Sequence, residues 1–148
     1  MKKFVMRGKT ISDGTEVLNF SGFKPNMGFK LTEFEIYPSD LNRQQELCAT
    51  ITAGRTSHNP ATPDFTDEGL IASALYLLWN APSYGSSTPR TVINHEFIIT
   101  QNLILTVKDY ESGGSTNEIN WQCTFEPVKM SASEHAVTNY KQFLISDD

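Results

Sequence analysis

Apolar and polar residues alternate along several segments of the chain. The clearest alternation runs through residues 118–128, and a second one runs through residues 103–108. In the first segment the apolar positions are Ile119, Trp121, Cys123 and Phe125. Because successive side chains of a strand point to opposite faces of its sheet, this period of two predicts antiparallel sheets that are buried on one face and hydrated on the other.

Turn residues divide the rest of the chain into further strand-like segments. The predicted strands cover 2–11, 16–20, 29–37, 46–53, 70–79, 92–107 and 118–128. Asp13-Gly14 predicts a two-residue hairpin turn between the first two of these strands. The apolar face of the third changes phase near Thr32-Glu33, which predicts a β-bulge. The segment 92–107 is either one long strand or two strands that meet near Gln101-Asn102.

Residues 70–79 fit two kinds of element. Thr66 is an acceptable N-cap, and apolar residues beyond it follow helical spacing. The same segment also fits a strand buried on both faces, and we favour the strand. Polar loops are predicted on either side of it, at 54–66 and 80–90.

The end of the chain changes from a period of two to a helical period. Ser131 and Glu134 match a capping box, which predicts a short amphipathic helix over 131–146. Its apolar stripe consists of Val137, Tyr140 and Leu144, with Ala136 and Phe143 beside it. We expect this helix to pack on the sandwich or on a neighbouring molecule.

These elements define the predicted fold class. The chain has 148 residues, which suggests a single domain over 1–148. Many short strands joined by long polar loops predict an all-β protein, an antiparallel β-sandwich that is jelly-roll-like, with one short C-terminal helix. Residues 1–12 are either an N-terminal arm or an edge strand.

Charge and hydropathy exclude several classes of protein. The formal net charge is −5, and the one basic cluster is Lys2, Lys3 and Arg7, so we expect no strong nucleic-acid binding. The start of the chain has no apolar core of a signal peptide. No apolar run approaches the ~20 residues that span a bilayer, so we expect no membrane partner.

Cysteine and histidine placement gives no sign of a metal site. Cys48 and Cys123 both fall in predicted strands, where two buried reduced thiols are the default and a disulfide across the sandwich is the alternative. His58, His95 and His135 show no metal-ligand spacing. We therefore expect no metal and no cofactor.

Catalytic signatures are also missing. The sequence contains neither a GxSxG elbow nor a catalytic cysteine motif, and the serine-rich segment 83–87 reads as a loop. A small hydrolase would need carboxylates that converge in space. The available acids are Glu33, Glu35, Glu126, Asp64, Asp67 and Glu68. The last three are a weak candidate for a loop calcium site. We expect the protein not to be an enzyme.

Aromatic residues in polar loops suggest a possible ligand surface. Tyr84 and Tyr110 lie in such loops, as does Phe65, and Trp79 borders one. Exposed rings stack on sugars or anchor protein interfaces, whereas the alternative is that they fold back over the ends of the sandwich. The second hypothesis for function is therefore a carbohydrate- or ligand-binding module, such as a tail-fibre or lectin-like domain.

The overall pattern resembles the small virion proteins of non-enveloped viruses and phages. The resemblance is carried by the bulged strand 29–36, the threonine-rich strand 48–52, the strand 98–107, and Asn120-Trp121 in the last strand before the helix. It implies a β-sandwich or jelly-roll domain with elaborate loops. The chain lacks the arginine-rich arm of many capsid proteins, which leaves a capsid, minor capsid or decoration role and carries over no individual residue.

The leading hypothesis is a virion structural protein that self-assembles through its sandwich faces and terminal segments. We expect a homo-oligomer, or assembly with other virion proteins, and a location in the virion. The candidate intersubunit contacts are Phe4, Val5, Met6, Tyr140, Phe143 and Leu144. Deletion of residues 1–10 is expected to weaken assembly and to leave the sandwich folded.

Overall fold

Over the residues that it describes, the computed structural model contains eight strands and one helix. It describes residues 2–20, 22–23, 26–54, 58–78, 87–111 and 116–147. The strands are β1 (Phe4–Ile11), β2 (Thr15–Leu18), β3 (Met27–Pro38), β4 (Gln45–Ala53), β5 (Leu70–Leu78), β6 (Ser87–Ile93), β7 (Leu103–Asp109) and β8 (Glu118–Lys129), and the helix is α1 (Ala132–Asp147).

The strands form two antiparallel sheets. The first sheet has the order β1-β8-β3, and the second has the order β2-β7-β4-β5-β6. The pairs β1–β8, β2–β7 and β4–β5 are nested, as if one long antiparallel ribbon had been rolled into two layers, which is the wrapping of a jelly roll. The predicted all-β sandwich with a C-terminal helix is confirmed.

One strand departs from complete nesting. A fully nested ribbon would pair β6 with β3, but β6 pairs with β5 at the edge of the larger sheet. Hydrogen bonds contribute to joining this side of the sandwich. Phe29 of β3 forms a bridge with Ile99, and the Thr91 hydroxyl of β6 donates to the Phe34 carbonyl at 2.9 Å.

The Asp13-Gly14 turn is present, but the hairpin is not. Asp13 takes a positive φ of 68°, and the Gly14 N–H donates to the Ile11 carbonyl at 2.8 Å. The strands on either side enter different sheets, since β1 pairs with β8 and β2 pairs with β7. The turn is therefore a corner between layers, and local turn chemistry alone does not distinguish a corner from a hairpin.

Two further strand predictions have clear outcomes. The bulge in β3 is confirmed, because Leu31 opposes Phe125 while Glu33 opposes Thr124, which leaves Thr32 as the extra residue. The preference for a strand at 70–79 is confirmed by β5.

The region 87–107 contains two strands, which agrees with one of the two alternatives, but the break between them is longer than a junction at Gln101-Asn102. Residues 87–90, expected in a loop, belong to β6, and 94–102 separate β6 from β7 instead of continuing a strand. Asn94 begins this break, because its side chain accepts a hydrogen bond from the Glu96 N–H at 3.1 Å and bends the backbone.

Aromatic packing fills the end of the sandwich where β1 begins. The Phe4 ring lies 5.5 Å from the ring of Phe125 and also contacts Phe20, Phe23 and Phe29. Rings at such separations and angles add to the free energy of burial. This cluster joins β1, β3 and β8 to the segment after β2.

Trp121 fixes the middle of the smaller sheet. Its indole N–H donates to the Thr10 hydroxyl at 3.0 Å, and its ring lies over Gly8 of the neighbouring strand. A Cβ at position 8 would approach the Trp121 ring to 2.7 Å, so the close approach requires glycine.

Candidate assembly surface

The polar face of α1 docks on the sandwich. Gln142 is only 4% exposed, and its side-chain oxygen accepts a hydrogen bond from the Thr100 N–H at 3.0 Å while its amide donates to the Ile98 carbonyl. Asn139 accepts from the Thr100 hydroxyl, and its carbonyl accepts from Gln101, both at 3.2 Å. Gln142 thus satisfies two backbone groups of the 98–101 segment, and Asn139 joins the helix to two side chains of the same segment.

The apolar face of the same helix points away from the sandwich. Val137, Tyr140 and Leu144 are 56%, 63% and 46% exposed, and we call these three residues the helix stripe. Phe143 lies beside the stripe with 46% of its surface exposed. A surface helix normally buries its apolar face against the core of its own domain. We call α1 an inverted helix, because its polar face contacts the sandwich and its apolar face is exposed. Such a helix offers a contiguous apolar surface of the kind that marks interaction sites.

The capping box predicted at the start of this helix is formed. The Glu134 N–H donates to the Ser131 hydroxyl at 3.1 Å, and the Ser131 N–H donates to the Glu134 carboxylate at 3.3 Å. These two bonds satisfy amides that the first turn leaves without helical partners. The stripe is therefore presented on a helix whose start is fixed.

The three N-terminal candidate residues point in different directions. Phe4 and Met6 are partly buried and pack against the core, whereas Val5 lies on the opposite face of β1 with half of its surface exposed. This alternation follows from the pleat of a strand. Only Val5 among these three presents most of its side chain on the surface of the isolated chain.

Of the two candidate ligand tyrosines, Tyr84 lies outside the described residues. Tyr110 is exposed, but its hydroxyl donates to the Asn59 side chain at 2.6 Å and the Lys108 ammonium lies 5.3 Å from its ring centroid. One face of the ring is thus engaged in a cation–π contact. Sugar stacking on these tyrosines stays a prediction.

A buried carboxylate that reasoning from the sequence missed lies at the end of β7. Asp109 is 2% exposed and accepts hydrogen bonds from the side chains of Asn117 at 2.7 Å and Gln45 at 3.2 Å. The backbone N–H groups of Glu46 and Glu111 also donate to it, at 3.1 and 3.0 Å. Asp109 thereby joins the start of β4 to the connection between β7 and β8.

Two opposing effects set the protonation of this carboxylate. Burial raises the pKa of Asp109, but the hydrogen bonds from Asn117, Glu111, Glu46 and Gln45 outweigh that effect and lower it below its ordinary value. Asp109 is therefore charged at neutral pH, and its partners are donors that stabilise the charge. The carboxylate therefore has a structural role, because its hydrogen bonds join the segments that carry the donors.

One segment before β5 contains His58, Asp64, Asp67 and Glu68, apart from the other acids and histidines that the sequence singles out. Asp67 pairs with His58, whose Nε2 lies 2.5 Å from a carboxylate oxygen, and Asp64 accepts from Thr66. Glu33 and Glu35 lie on β3, beside a cleft of about 500 Å³ between β3 and the β5–β6 edge. Within the described residues, no group of three His, Cys, Asp or Glu side chains is placed to hold a metal ion.

The cysteines lie in different sheets and are both free. Cys123 is fully buried between the sheets, whereas Cys48 is partly exposed on the face of β4 opposite to the core residues Leu47 and Ala49. Burial raises the pKa of each thiol to about 12. The default of two reduced thiols therefore fits this geometry, and the disulfide alternative does not.

The fold is an all-β sandwich with jelly-roll wrapping, and its C-terminal helix has an exposed apolar face. Comparison with known proteins gives no matching family model, no matching curated protein and no matching solved structure. In the described part of the chain, no helix has the length and apolarity needed to cross a membrane.

Proposed function

We propose that this protein is a structural subunit of a virus particle that self-assembles through its helix stripe and its N-terminal edge strand. The observation that carries the proposal is the inverted helix: Val137, Tyr140 and Leu144 are exposed while Gln142 is buried. An isolated domain gains nothing from exposing this apolar stripe to water, whereas a subunit that buries the stripe in an assembly gains the hydrophobic free energy.

The fold is compatible with this role. Jelly-roll domains with two packed sheets serve as viral capsid and lectin domains and as cupins. Because a fold of this kind hosts several functions, the site has to decide among them. Here the buried carboxylate Asp109 supports local structure, and His58 and Lys108 are engaged with Asp67 and Asp13.

The N-terminal strand supplies a second candidate contact. β1 is the outermost strand of the smaller sheet, so one edge of its backbone faces away from its partner β8. Val5 and Ile11 are exposed on its outer face, with Arg7 and Lys9 between them. Charged side chains on an edge strand resist indiscriminate strand pairing. The exposed Val5 and Ile11 are the apolar part of this face that a specific partner would cover.

Light scattering of the purified full chain, followed by negative-stain microscopy of any large species, tests the proposal. We expect closed shells or regular oligomers whose formation is weakened by Tyr140→Ser. Phe65→Ser is the matched control, because Phe65 is 65% exposed, close to the 63% of Tyr140. If the protein stays monomeric under all conditions, both alone and when mixed with preformed virus shells, the proposal is overturned and the ligand-binding alternative is favoured.

A further inference from the structure

We infer that the helix stripe binds the same stripe of a second copy, with the two helices antiparallel about a two-fold axis. This inference rests on the proposed function and specifies one of its contacts. Its partner is identical by symmetry, so residues on one helix have to complement residues on the same helix turned end for end.

The spacing of the stripe suits helix pairing. In a heptad frame, Val137 and Leu144 take a positions and Tyr140 takes a d position, which together form one seam. Gln142 takes the f position, on the side opposite to this seam, and it is the residue that docks on the sandwich. A partner helix therefore approaches from the side opposite to the Gln142 contact.

Charge selects the antiparallel orientation. Glu134 and Lys141 are exposed and occupy successive e positions on one flank of the seam. In an antiparallel pair the e flank of one helix faces the e flank of the other, so Glu134 of each copy meets Lys141 of its partner when Val137 lies opposite Tyr140. In a parallel pair the e flank faces the g flank, which carries Ala136 and Phe143 and offers no charge.

The uncharged flank fits the same orientation. Ala136 and Phe143 occupy its two g positions, so the antiparallel pair places a small side chain of one copy opposite a large side chain of the other. At one end of the seam Leu144 faces Ser133, whose small side chain leaves room for it. Large and small residues thus alternate across the contact, as close packing requires.

The size of the contact predicts its strength. A helix of 16 residues is roughly 24 Å long, and such a pair buries less than the ~800 Å² per partner of a standard stable interface. The association is therefore expected to be reversible and to depend on concentration in the micromolar range or above. A weak two-fold contact of this kind is suited to a subunit that is held in an assembly by several contacts at once.

Sedimentation velocity over a wide range of concentrations measures this contact. We expect reversible dimers of the wild-type chain and a dissociation constant raised at least tenfold by Tyr140→Ser, with the Phe65→Ser control unchanged. Tyr140 is exposed in the isolated chain, so its replacement leaves the fold intact, which circular dichroism verifies. Equal dimerisation of Tyr140→Ser and the wild type would overturn the inference.

Charge reversal tests the orientation. Lys141→Glu and Glu134→Lys each create two repulsive pairs, so each variant alone is expected to dimerise weakly. An equimolar mixture of the two restores both attractive pairs and is expected to form heterodimers as readily as the wild type forms homodimers. A mixture no better than its components would overturn the antiparallel arrangement. Since Glu134 also caps the helix, Glu134→Gln provides the control that keeps a capping side chain.

The same samples separate this inference from the proposed function. Regular particles formed equally well by Tyr140→Ser would overturn the helix pairing and the use of the helix stripe in assembly, and would leave a structural subunit that assembles through other contacts such as β1. The opposite outcome is that the protein forms helix-mediated dimers but no larger species, either alone or with preformed virus shells. This result would support the helix pairing and count against the virion role.

Discussion

The Thr100 N–H donates to the side-chain oxygen of Gln142 at 3.0 Å, and this bond fixes α1 to the backbone between β6 and β7. The same Gln142 amide donates to the Ile98 carbonyl, so one side chain satisfies two backbone groups. Because these groups are directional, they set the rotation of the helix about its own axis. That rotation is what turns Val137, Tyr140 and Leu144 outward.

Replacement of Gln142 by leucine is expected to release the helix from the sandwich. The substitution leaves the Thr100 N–H and the Ile98 carbonyl without their partners, at a cost of about 1–3 kcal/mol. Hydrogen exchange at the backbone amides of α1 measures the effect. We expect faster exchange in the helix with little change in the core strands. Phe65→Ser, at an exposed position outside the helix and its proposed contact, serves as the control. Unchanged protection of the helix amides in the leucine variant would contradict this role.

Replacement of Asp109 by asparagine is expected to destabilise the whole domain. The neutral amide offers a donor where Asn117, Gln45 and two backbone N–H groups already donate. Hydrogen bonds to a charged group contribute more than neutral ones, so we expect a loss of about 2–4 kcal/mol in the free energy of unfolding. Chemical denaturation measures it, and Glu35→Gln, at an exposed carboxylate on β3, is the control.

The same carboxylate predicts part of the acid sensitivity of the fold. The pKa of Asp109 is lower in the folded than in the unfolded state, so its contribution is complete above the unfolded value of about 3.9. As the pH falls below that value and through the folded pKa, the contribution is lost. The wild type is therefore expected to lose more stability below pH ~4 than Asp109→Asn. Parallel slopes of stability against pH for the two proteins would argue against this assignment.

The alternation of residues made the layers predictable. Ile119, Trp121, Cys123 and Phe125 are all buried, as their period of two indicates, and the change of phase in β3 located its bulge. Pairing partners were not predictable in this way, because the alternation defines a face and not a neighbour. The Asp13-Gly14 turn illustrates this limit of sequence prediction. Its local geometry is the same whether the flanking strands pair with each other in a hairpin or enter different sheets.

The candidate surface was predictable only in part. Helical spacing identified the stripe of Val137, Tyr140 and Leu144, but it left open whether the stripe packs on the sandwich or on a neighbour. The answer depends on Gln142 and Asn139, two polar residues whose partners lie about 40 residues away in the chain. Asp109 was missed for the same reason, because its donors come from several distant segments.

Deletion of residues 1–10 is now expected to destabilise the sandwich, which changes the expectation drawn from the sequence. β1 pairs with β8 along its whole length, and Phe4 packs in the aromatic cluster. A milder variant, Phe4→Ala, is expected to cost about 2–4 kcal/mol, near the lower end for buried phenylalanines because Phe4 is only partly buried. Thermal unfolding measures both, with Val5→Ala as the control on the outer face. A deletion variant with the melting temperature of the wild type would contradict this placement.

The two cysteines are expected to resist thiol reagents in the folded protein at neutral pH. Burial raises the pKa of both thiols to about 12, so the reactive thiolate is scarce in each. Labelling followed by mass spectrometry is expected to modify the partly exposed Cys48 before the buried Cys123. Rapid modification of Cys123 without unfolding would contradict the packing.

The raised thiol pKa values also predict loss of stability in alkali. The unfolded thiols ionise near pH ~8.5 while the folded ones remain protonated, so stability falls as the pH rises above that value. Denaturation between pH 8 and 10 measures the effect, and Cys123→Ser is expected to reduce its slope. An identical slope in that variant would assign the alkaline effect to other groups.

The pairing of β1 with β8 has a consequence for the synthesis of the protein on the ribosome. Phe4 lies opposite Phe125, so β1 is synthesised well before β8, the strand with which it pairs in the smaller sheet. At roughly 5–20 residues per second, that interval lasts on the order of ten seconds. During this interval β1 lacks its partner strand β8. The positive charges of Lys2, Lys3, Arg7 and Lys9 repel the same segment of neighbouring nascent chains, which keeps the unpaired strands apart.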